Sequence, residues 1–148
     1  MREILFRGKC FINDKWEWVY GYYAPVYLFS KDGKEDNTYC IISDKYIGRT
    51  EMLGCGVQSG LPANYMIKKE TLGQYTGHKD KNGTKIFEGD ICKHRSNYSG
   101  DFIISVVTYT DGCFLAMADN NSGFALSDKL EIISNIYDNP ELLEVDNG

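Results

Sequence analysis

The sequence predicts a mainly β protein whose 148 residues are enough for one domain with a sizeable core. Three observations favour this fold class. Aromatic residues make up 14% of the chain, and aromatic side chains fit half-buried pleated sheets. Short strand-like runs alternate with turn residues, most densely in residues 71–93, TLGQYTGHKDKNGTKIFEGDICK. After residue 73, short strands at close spacing are typical of a small barrel or sandwich.

Two strands open the chain. Residues 3–12 are rich in strand-forming side chains and predict one strand or two, bent near Gly8. Asn13 and Asp14 then turn the chain into a second strand. In that strand every other residue is a large aromatic, and the period of two puts all four on one face of the sheet: Trp16, Trp18, Tyr20 and Tyr22.

The middle of the chain predicts a hairpin, a loop and a further strand. Polar residues 31–37 are expected at an exposed tip between strands at 26–29 and 38–43. Residues 48–63 show little periodicity and are predicted to form a loop. A strand at 65–72 then continues through 74–76 into a turn.

The C-terminal half is punctuated by turns, of which Asn82-Gly83 and Asp111-Gly112 are the strongest signals. Asn139 is placed as a helix N-cap with Pro140 at the first helical position, which predicts one short helical turn at the end. Strands are predicted at 85–87, 91–94, 102–109, 113–118, 124–126 and 130–136.

Composition bounds the compartment and the partners. The net charge of -5 offers no basic stripe, which lowers the expectation of nucleic-acid binding. Five scattered cysteines with no secretory leader predict reduced thiols in a cytoplasm. No run approaches the roughly 18 apolar residues of a membrane helix, so no membrane partner is expected.

Candidate chemical groups are sparse, and we predict no catalytic residue, no metal and no cofactor. Cys92 and His94 share a strand face, but side chains two apart lie about 7 Å from each other. Adding His78 and Asp80 does not produce a recognised zinc spacing. Carboxylate pairs beside turn glycines are expected to be solvated turn residues: Glu88 with Asp90, and Asp101 with Asp111.

The four aromatic residues of the second strand are the best candidate for a binding surface. Trp16, Trp18, Tyr20 and Tyr22 are able to stack bases or sugars. The favoured alternative is that these rings form the core of an N-terminal sheet or an oligomer contact, because nearby cations are few. The local positive charges are those of Arg2, Arg7, Lys9 and Lys15.

Three segments resemble the YopX family of phage and prophage proteins: GQYTGHKDKNG, IFEGDICK and IISNIYDNPELL, in the family's order. The resemblance implies an SH3-like β-barrel, a phage or prophage origin and no established activity. It also implies one YopX-like domain over 1–148, with an N-terminal β segment and variable loop at 1–70 and the barrel at 71–148.

The motif residues have a structural interpretation of their own. Glycines in tight turns supply positive φ, and Asp or Asn side chains in turns bond nearby amides. We therefore interpret the motif as structural at Gly77, Asp80, Asn82, Gly83, Glu88, Gly89, Asp90, Asn135, Asn139 and Pro140.

The resulting functional prediction is a non-catalytic phage or prophage accessory protein in the bacterial host cytoplasm. It acts through protein contacts and self-associates, because it carries surplus aromatic residues and a small barrel with strand edges to cover. The alternative is a nucleic-acid-binding module that uses the aromatic strand, and an enzyme of unknown class ranks third.

Overall fold

The computed structural model describes residues 3–29, 35–42 and 64–144. These residues form ten strands and one 3₁₀ turn. The elements are β1 Phe6–Ile12, β2 Lys15–Phe29, β3 Glu35–Ile42, β4 Asn64–Lys79, β5 Lys85–Phe87, β6 Asp90–Arg95, β7 Phe102–Thr110, β8 Cys113–Met117, β9 Gly123–Ala125, β10 Glu131–Asn135 and the turn Pro140–Leu143.

The predicted fold class is confirmed. Strands dominate the described residues, one sheet is curled into a half-barrel, and the single 3₁₀ turn follows the last strand. Additional strands precede residue 71, as predicted. Within the described part of the chain, the strands pair with their neighbours in antiparallel fashion.

The chain divides into two compact units. Ile4–Gln74 form the first unit, and Tyr75–Gly148 with Met1–Glu3 form the second. Strand β4 is continuous and contributes residues 64–74 to the first unit and 75–79 to the second. The subdivision of a single domain at residue 70 stays a prediction.

The first unit is built on the hairpin of β1 and β2. Strand β3 pairs with β2, while β4 pairs with both β3 and β1. Its core is small and lies on one side of the hairpin, where Phe6, Ile12 and Leu72 pack around four buried residues. Those four are Cys10, Val19, Ile41 and Ile67.

Gly8 lets β1 lie close to β4. A Cβ at Gly8 would come within 2.7 Å of the Ile67 Cδ1 atom, so this position has no room for a side chain unless Ile67 moves. Of the two predicted possibilities, one strand or two, the structure has one strand across Gly8. The register of β1 against β4 shifts between Arg7 and Lys9.

The second unit contains a five-stranded sheet in the order β10-β6-β7-β8-β9, and β5 pairs with the end of β4. Its core lies on one face of this sheet, and Phe124, Leu126 and Ile132 pack against it. The fully enclosed members are Ile86, Cys92, Val107, Ala116 and Leu130.

Two hairpin turns have the backbone conformation that their residues predict. Asn13 and Asp14 have φ values of 50° and 62°, and Asp111 and Gly112 have values of 50° and 81°. Positive φ at both central positions defines the type I′ turn, whose twist matches that of the flanking strands. The turns fix the registers Ile12 to Lys15 and Thr110 to Cys113.

The middle of the chain departs from the predicted boundaries. Strand β3 begins at Glu35, inside the segment expected to form a polar tip, because backbone pairing with Phe29 extends the ladder regardless of side-chain polarity. The rest of the tip, residues 30–34, and the predicted loop at 48–63 lie outside the described residues.

Candidate functional site

The candidate site is one face of the β1–β2 hairpin, here named the aromatic face. Strand register pairs Arg7 with Tyr20, Lys9 with Trp18 and Phe11 with Trp16, and directly paired residues share a sheet face. The described positions of β1 and β2 on this face, up to residue 22, contain no acidic residue. They are Arg7, Lys9, Phe11, Trp16, Trp18, Tyr20 and Tyr22.

The aromatic face points away from the core of its unit. Buried Cys10 and Val19 belong to the opposite side of the hairpin by the alternation of the strands. The exposed fractions are 53% for Trp16, 46% for Tyr20 and 56% for Tyr22, and Phe11 is equally exposed. Trp18 is half-buried. The interpretation of Trp16, Tyr20 and Tyr22 as a core is therefore wrong, whereas the use of the rings as an oligomer contact stays a prediction.

Cations lie among the rings. The Arg7 guanidinium carbon lies 4.6 Å from the centroid of the Trp18 ring, and Lys9 Nζ lies 5.4 Å from it. From β4, Lys68 Nζ approaches the Trp16 ring at 6.0 Å. Attraction to the ring quadrupole contributes about 0.5–1 kcal/mol at exposed sites. Arg7 is buried and supports Trp18, while Lys68 is exposed.

The backbone holds two of these lysines opposite each other. Lys9 and Lys68 are register partners, and like charges directly opposite on a sheet are destabilising. The Thr71 hydroxyl accepts a hydrogen bond from Lys9 N at 2.8 Å and donates one to Lys68 O at 2.6 Å. Buried Thr71 thus fixes the bulge that presents both cations.

The turn residues of the recognisable motif form a second, different group. Asp80 is buried, and its Oδ1 accepts hydrogen bonds from Asn82 N and Thr84 N at 2.8 Å, while Oδ2 accepts one from Ile132 N at 3.1 Å. Burial alone would raise the pKa of Asp80, but these amide bonds outweigh it and lower that pKa. The carboxylate joins the turn to β10.

Other motif residues also serve the backbone. Glu88 and Gly89 form the turn between β5 and β6, and Asp90 Oδ2 accepts a hydrogen bond from Phe87 N at 2.8 Å. Asn135 Oδ1 accepts bonds from the amides of Tyr137 and Asp138. Gly77, Gly83 and Gly89 have φ values of 88°, 81° and 85°, which only glycine adopts without strain.

Asn139 stands at the N-cap position before Pro140, but it does not cap the turn with its side chain. Its Oδ1 instead accepts a hydrogen bond from the Ser134 hydroxyl at 2.6 Å, and its Nδ2 donates to Glu141 Oε1 at 2.7 Å. The competing acceptor and donor on neighbouring side chains explain why the expected cap bond is not formed. The helical turn itself is present as 3₁₀.

Cys92 and His94 do share a strand face, and this face packs into the core of the second unit. Burial, with a further contribution from the charge of Asp90, raises the pKa of Cys92 to about 12, so the thiol stays protonated at neutral pH. Both ring nitrogens of His94 are buried without a hydrogen-bond partner, and its ring lies 4.6 Å from that of Phe124. Burial lowers the pKa of His94.

The remaining acid–base and metal candidates are not brought together. Asp101 and Asp111 flank β7 at opposite ends, roughly 30 Å apart along an extended strand. Asp90 is committed to the Phe87 amide beside half-buried Glu88. Among the residues that the structure describes, no group of three or more His, Cys, Asp or Glu side chains is placed to hold a metal ion.

The sequence identified Arg7 and Lys9 as nearby cations, but their place on the aromatic face, and that of Phe11, was not predicted. Arg7, Lys9 and Phe11 alternate in β1 as the rings do in β2, and that shared period of two was a usable signal. Lys68 carried no such signal because it is far away in sequence and reaches Trp16 only through the pairing of β4 with β1.

The fold and the site define a mainly β protein with an exposed aromatic surface. The YopX protein family model matches residues 28–144, which is most of the chain. The protein belongs to the YopX family. The matched region begins inside β2, after the last residue of the aromatic face on that strand.

The chain is also similar to solved structures. The crystal structure of protein EF1440 from Enterococcus faecalis is similar at 23% sequence identity, covering 97% of this chain and 99% of that chain with a TM-score of 0.49. No curated protein matches the sequence. Within the described ranges, none of the helical structure is both long and apolar enough to cross a membrane.

Proposed function

We propose that this protein is a non-catalytic binding module of phage or prophage origin and that its aromatic face binds single-stranded nucleic acid in the host cytoplasm. Membership of the YopX family supports the phage-type origin. The observation that carries the proposal is the exposure of Trp16, Tyr20 and Tyr22 beside cations on a face turned away from the core.

Stacking explains the aromatic residues. Successive rings on β2 are separated by two residues, or about 6.8 Å, so they offer a row of flat surfaces along one strand. Base stacking on such rings contributes about 1–3 kcal/mol per base and tolerates any sequence. Unpaired bases expose both faces, whereas a duplex hides them, and this favours a single strand.

The positive charge on the aromatic face favours nucleic-acid binding over self-association. Lys9 and Lys68 stand opposite each other beside the rings, where they complement a phosphate backbone. A symmetric contact between two copies places the same patch on both sides and brings these lysines towards their own copies. An anionic partner reduces the repulsion between Lys9 and Lys68, whereas a second copy adds positive charge and increases it.

Self-association through the same face is the second candidate. Its support is the apolar character of the surface, because exposed Phe11, Trp16 and Met66 add to the tyrosines on the sheet. Patches of large exposed apolar side chains mark protein contacts. The two candidates differ in salt dependence, since phosphate binding weakens steeply as salt increases.

The test is a fluorescence titration with an oligothymidine and with a duplex of the same length, at low and high salt. Tyr22→Ala removes one stacking ring, and Tyr109→Ala is the matched control, since both tyrosines are 56% exposed. We expect Tyr22→Ala to weaken single-strand binding by about 5- to 150-fold and Tyr109→Ala to leave it unchanged.

Light scattering on the same samples separates the alternatives. A monomer that gains mass with the oligonucleotide only at low salt supports the proposal. A salt-independent oligomer that ignores the oligonucleotide refutes it and selects self-association.

A further inference from the structure

A second exposed ring in the other unit is surrounded by cations. Phe102, the first residue of β7, is 61% exposed. Lys93 Nζ lies 4.3 Å from the centroid of its ring, and the Arg95 guanidinium carbon lies 5.9 Å from it. We name this group of Lys93, Arg95 and Phe102 the Phe102 patch.

The patch lies on the outer face of its sheet. Lys93 and Arg95 alternate along β6 with Cys92 and His94, which face the core side. Register pairs Arg95 directly with Phe102, so the three side chains stand on one side of two neighbouring strands. Cys92, Val107 and Ala116 of the core cluster lie on the opposite face, whereas on the face of the patch Ile91, further along β6, is buried.

The two cations are not neutralised by ion pairs within the described residues. In the same unit, Lys81 Nζ binds Glu131 Oε2 at 2.7 Å and Lys85 Nζ binds Glu3 Oε2 at 2.8 Å. Glu131 is the register partner of Lys93 on β10, but Lys81 engages its carboxylate. The positive charge of Lys93 and Arg95 is therefore available to an anion.

A structured loop fixes the geometry of the patch. Arg95 Nε donates a hydrogen bond to Gly100 O at 2.7 Å, which holds the guanidinium beside the ring. The loop itself is closed by the bond from Ser96 N to Asp101 O at 2.8 Å and by amide bonds to the Ser96 hydroxyl. Ring and cations are thus positioned before any ligand arrives, which reduces the entropy cost of binding.

We infer that the Phe102 patch is a second nucleotide-binding point for single-stranded nucleic acid, with a base on the Phe102 ring and a phosphate on Lys93 and Arg95. The inference rests on the proposed function for the class of ligand, and on the ring and its unpaired cations for the site. Phosphate favours this pair because a guanidinium and an ammonium supply charged donors from two directions.

The experiment uses the full chain and a fluorescein-labelled oligothymidine. The patch variants are Phe102→Ala and the double change Lys93→Gln with Arg95→Gln. The matched charge control is Lys79→Gln with Lys129→Gln, two lysines for which no ion pair is seen in the described structure. The aromatic-face variant is Trp16→Ala with Tyr22→Ala, and circular dichroism checks that each variant is folded.

We expect Phe102→Ala to weaken binding by about 5- to 150-fold, through loss of one stacked base. The slope of log K against log salt is negative, and the double glutamine variant makes it less steep by about 0.7, because the two cations share one phosphate. The control pair changes the slope by less. Phe102→Trp restores binding, because it restores a stacking surface without changing the charge.

The pattern across variants separates this inference from the proposed function. Losses confined to the Phe102 patch refute the role of the aromatic face and leave the patch as the site. Losses confined to the aromatic face refute the patch. Wild-type protein that does not bind at low salt refutes both.

Discussion

The aromatic face and the motif turns of the second unit use polar and aromatic residues in opposite ways. In the second unit, Tyr75 and Phe87 are buried with their ring centroids 5.6 Å apart. The buried carboxylate of Asp80 accepts hydrogen bonds from backbone amides. On the aromatic face, Trp16 and Tyr22 stay in solvent, and cations stand beside the rings. Aromatic and charged side chains are thus buried and stabilise the second unit, whereas on the aromatic face of the first unit they are exposed to solvent.

This difference separates the family signature from the candidate function. The recognisable segments run through β4, β5, β6 and β10 and the turns beside them, and glycine conformation and buried acids account for their turn residues. The aromatic face precedes residue 28, where the family match begins. Membership of the family therefore explains how the second unit folds more directly than it explains what the first unit binds.

The largest effect is expected from Asp80→Ala. Three amides lose a charged acceptor, and each hydrogen bond to a charged group contributes roughly 1.5–3 kcal/mol, so the free energy of unfolding falls by about 3 kcal/mol or more. Urea unfolding measures the change. The control Asp128→Ala, at an exposed site, shifts it by less than about 0.5 kcal/mol. Equal effects would show that Asp80 is not a structural centre.

Asp80 also makes the second unit sensitive to acid. Its pKa is lower in the folded chain than in the unfolded chain, where it is about 4, so its contribution is complete above that pH and is lost as the pH falls through the folded value. Unfolding free energy measured between pH 6 and pH 2 then declines less steeply in Asp80→Asn than in the wild type. An unchanged slope would contradict this origin.

A somewhat smaller loss is expected from Gly89→Ala. The residue has a φ of 85°, and an added Cβ would come within 3.1 Å of Tyr137 Cε2, so both backbone strain and crowding oppose the change. Gly83→Ala is the matched control, because its φ is 81° but nothing lies within 4 Å. We expect the free energy of unfolding to fall by about 1–2 kcal/mol in Gly83→Ala and by more in Gly89→Ala, as measured by thermal unfolding. Equal losses would locate the cost in backbone strain alone, and the reverse order would contradict the role of Tyr137.

The buried ring nitrogens of half-buried His94 predict a smaller dependence of stability on pH. Its folded pKa lies below the unfolded value of about 6.5, because burial disfavours the charged ring. Stability is therefore full above that pH and declines as the pH falls below it. His94→Phe reduces the decline between pH 7 and pH 5, whereas His78→Phe, at the exposed second histidine, retains it.

The smallest effect on stability is expected from the aromatic face. Trp16→Ala removes an exposed ring whose centroid lies 5.4 Å from that of Phe11. The free energy of unfolding therefore falls by less than about 1 kcal/mol. Ile67→Ala, in the core of the same unit, costs about 2–5 kcal/mol. Chemical unfolding of the two variants compares them directly. A Trp16→Ala loss as large as that of Ile67→Ala would mean that the ring belongs to the folding core after all.

Local chemistry in the chain was enough to predict the mainly β class, the turns at Asn13-Asp14 and Asp111-Gly112, and the acid-bonded turn at Asp80. Turn residues act over three or four positions, so their conformational preference is readable without knowing the neighbours. The alternation of Trp16 to Tyr22 likewise placed four rings on one face. It did not say whether that face was buried, because both faces of a sheet have the same period.

Tertiary pairing decided which face became the core. Gly8 brings β1 close to Ile67, and that contact draws the hairpin's aliphatic side inward and leaves the rings outside. The same pairing sets Lys68 opposite Lys9, and in the other unit the pairing of β6 with β7 sets Arg95 beside Phe102. The chain alone determined turns and strand periods because they are local, whereas the cation-flanked rings arise from contacts between residues far apart in sequence.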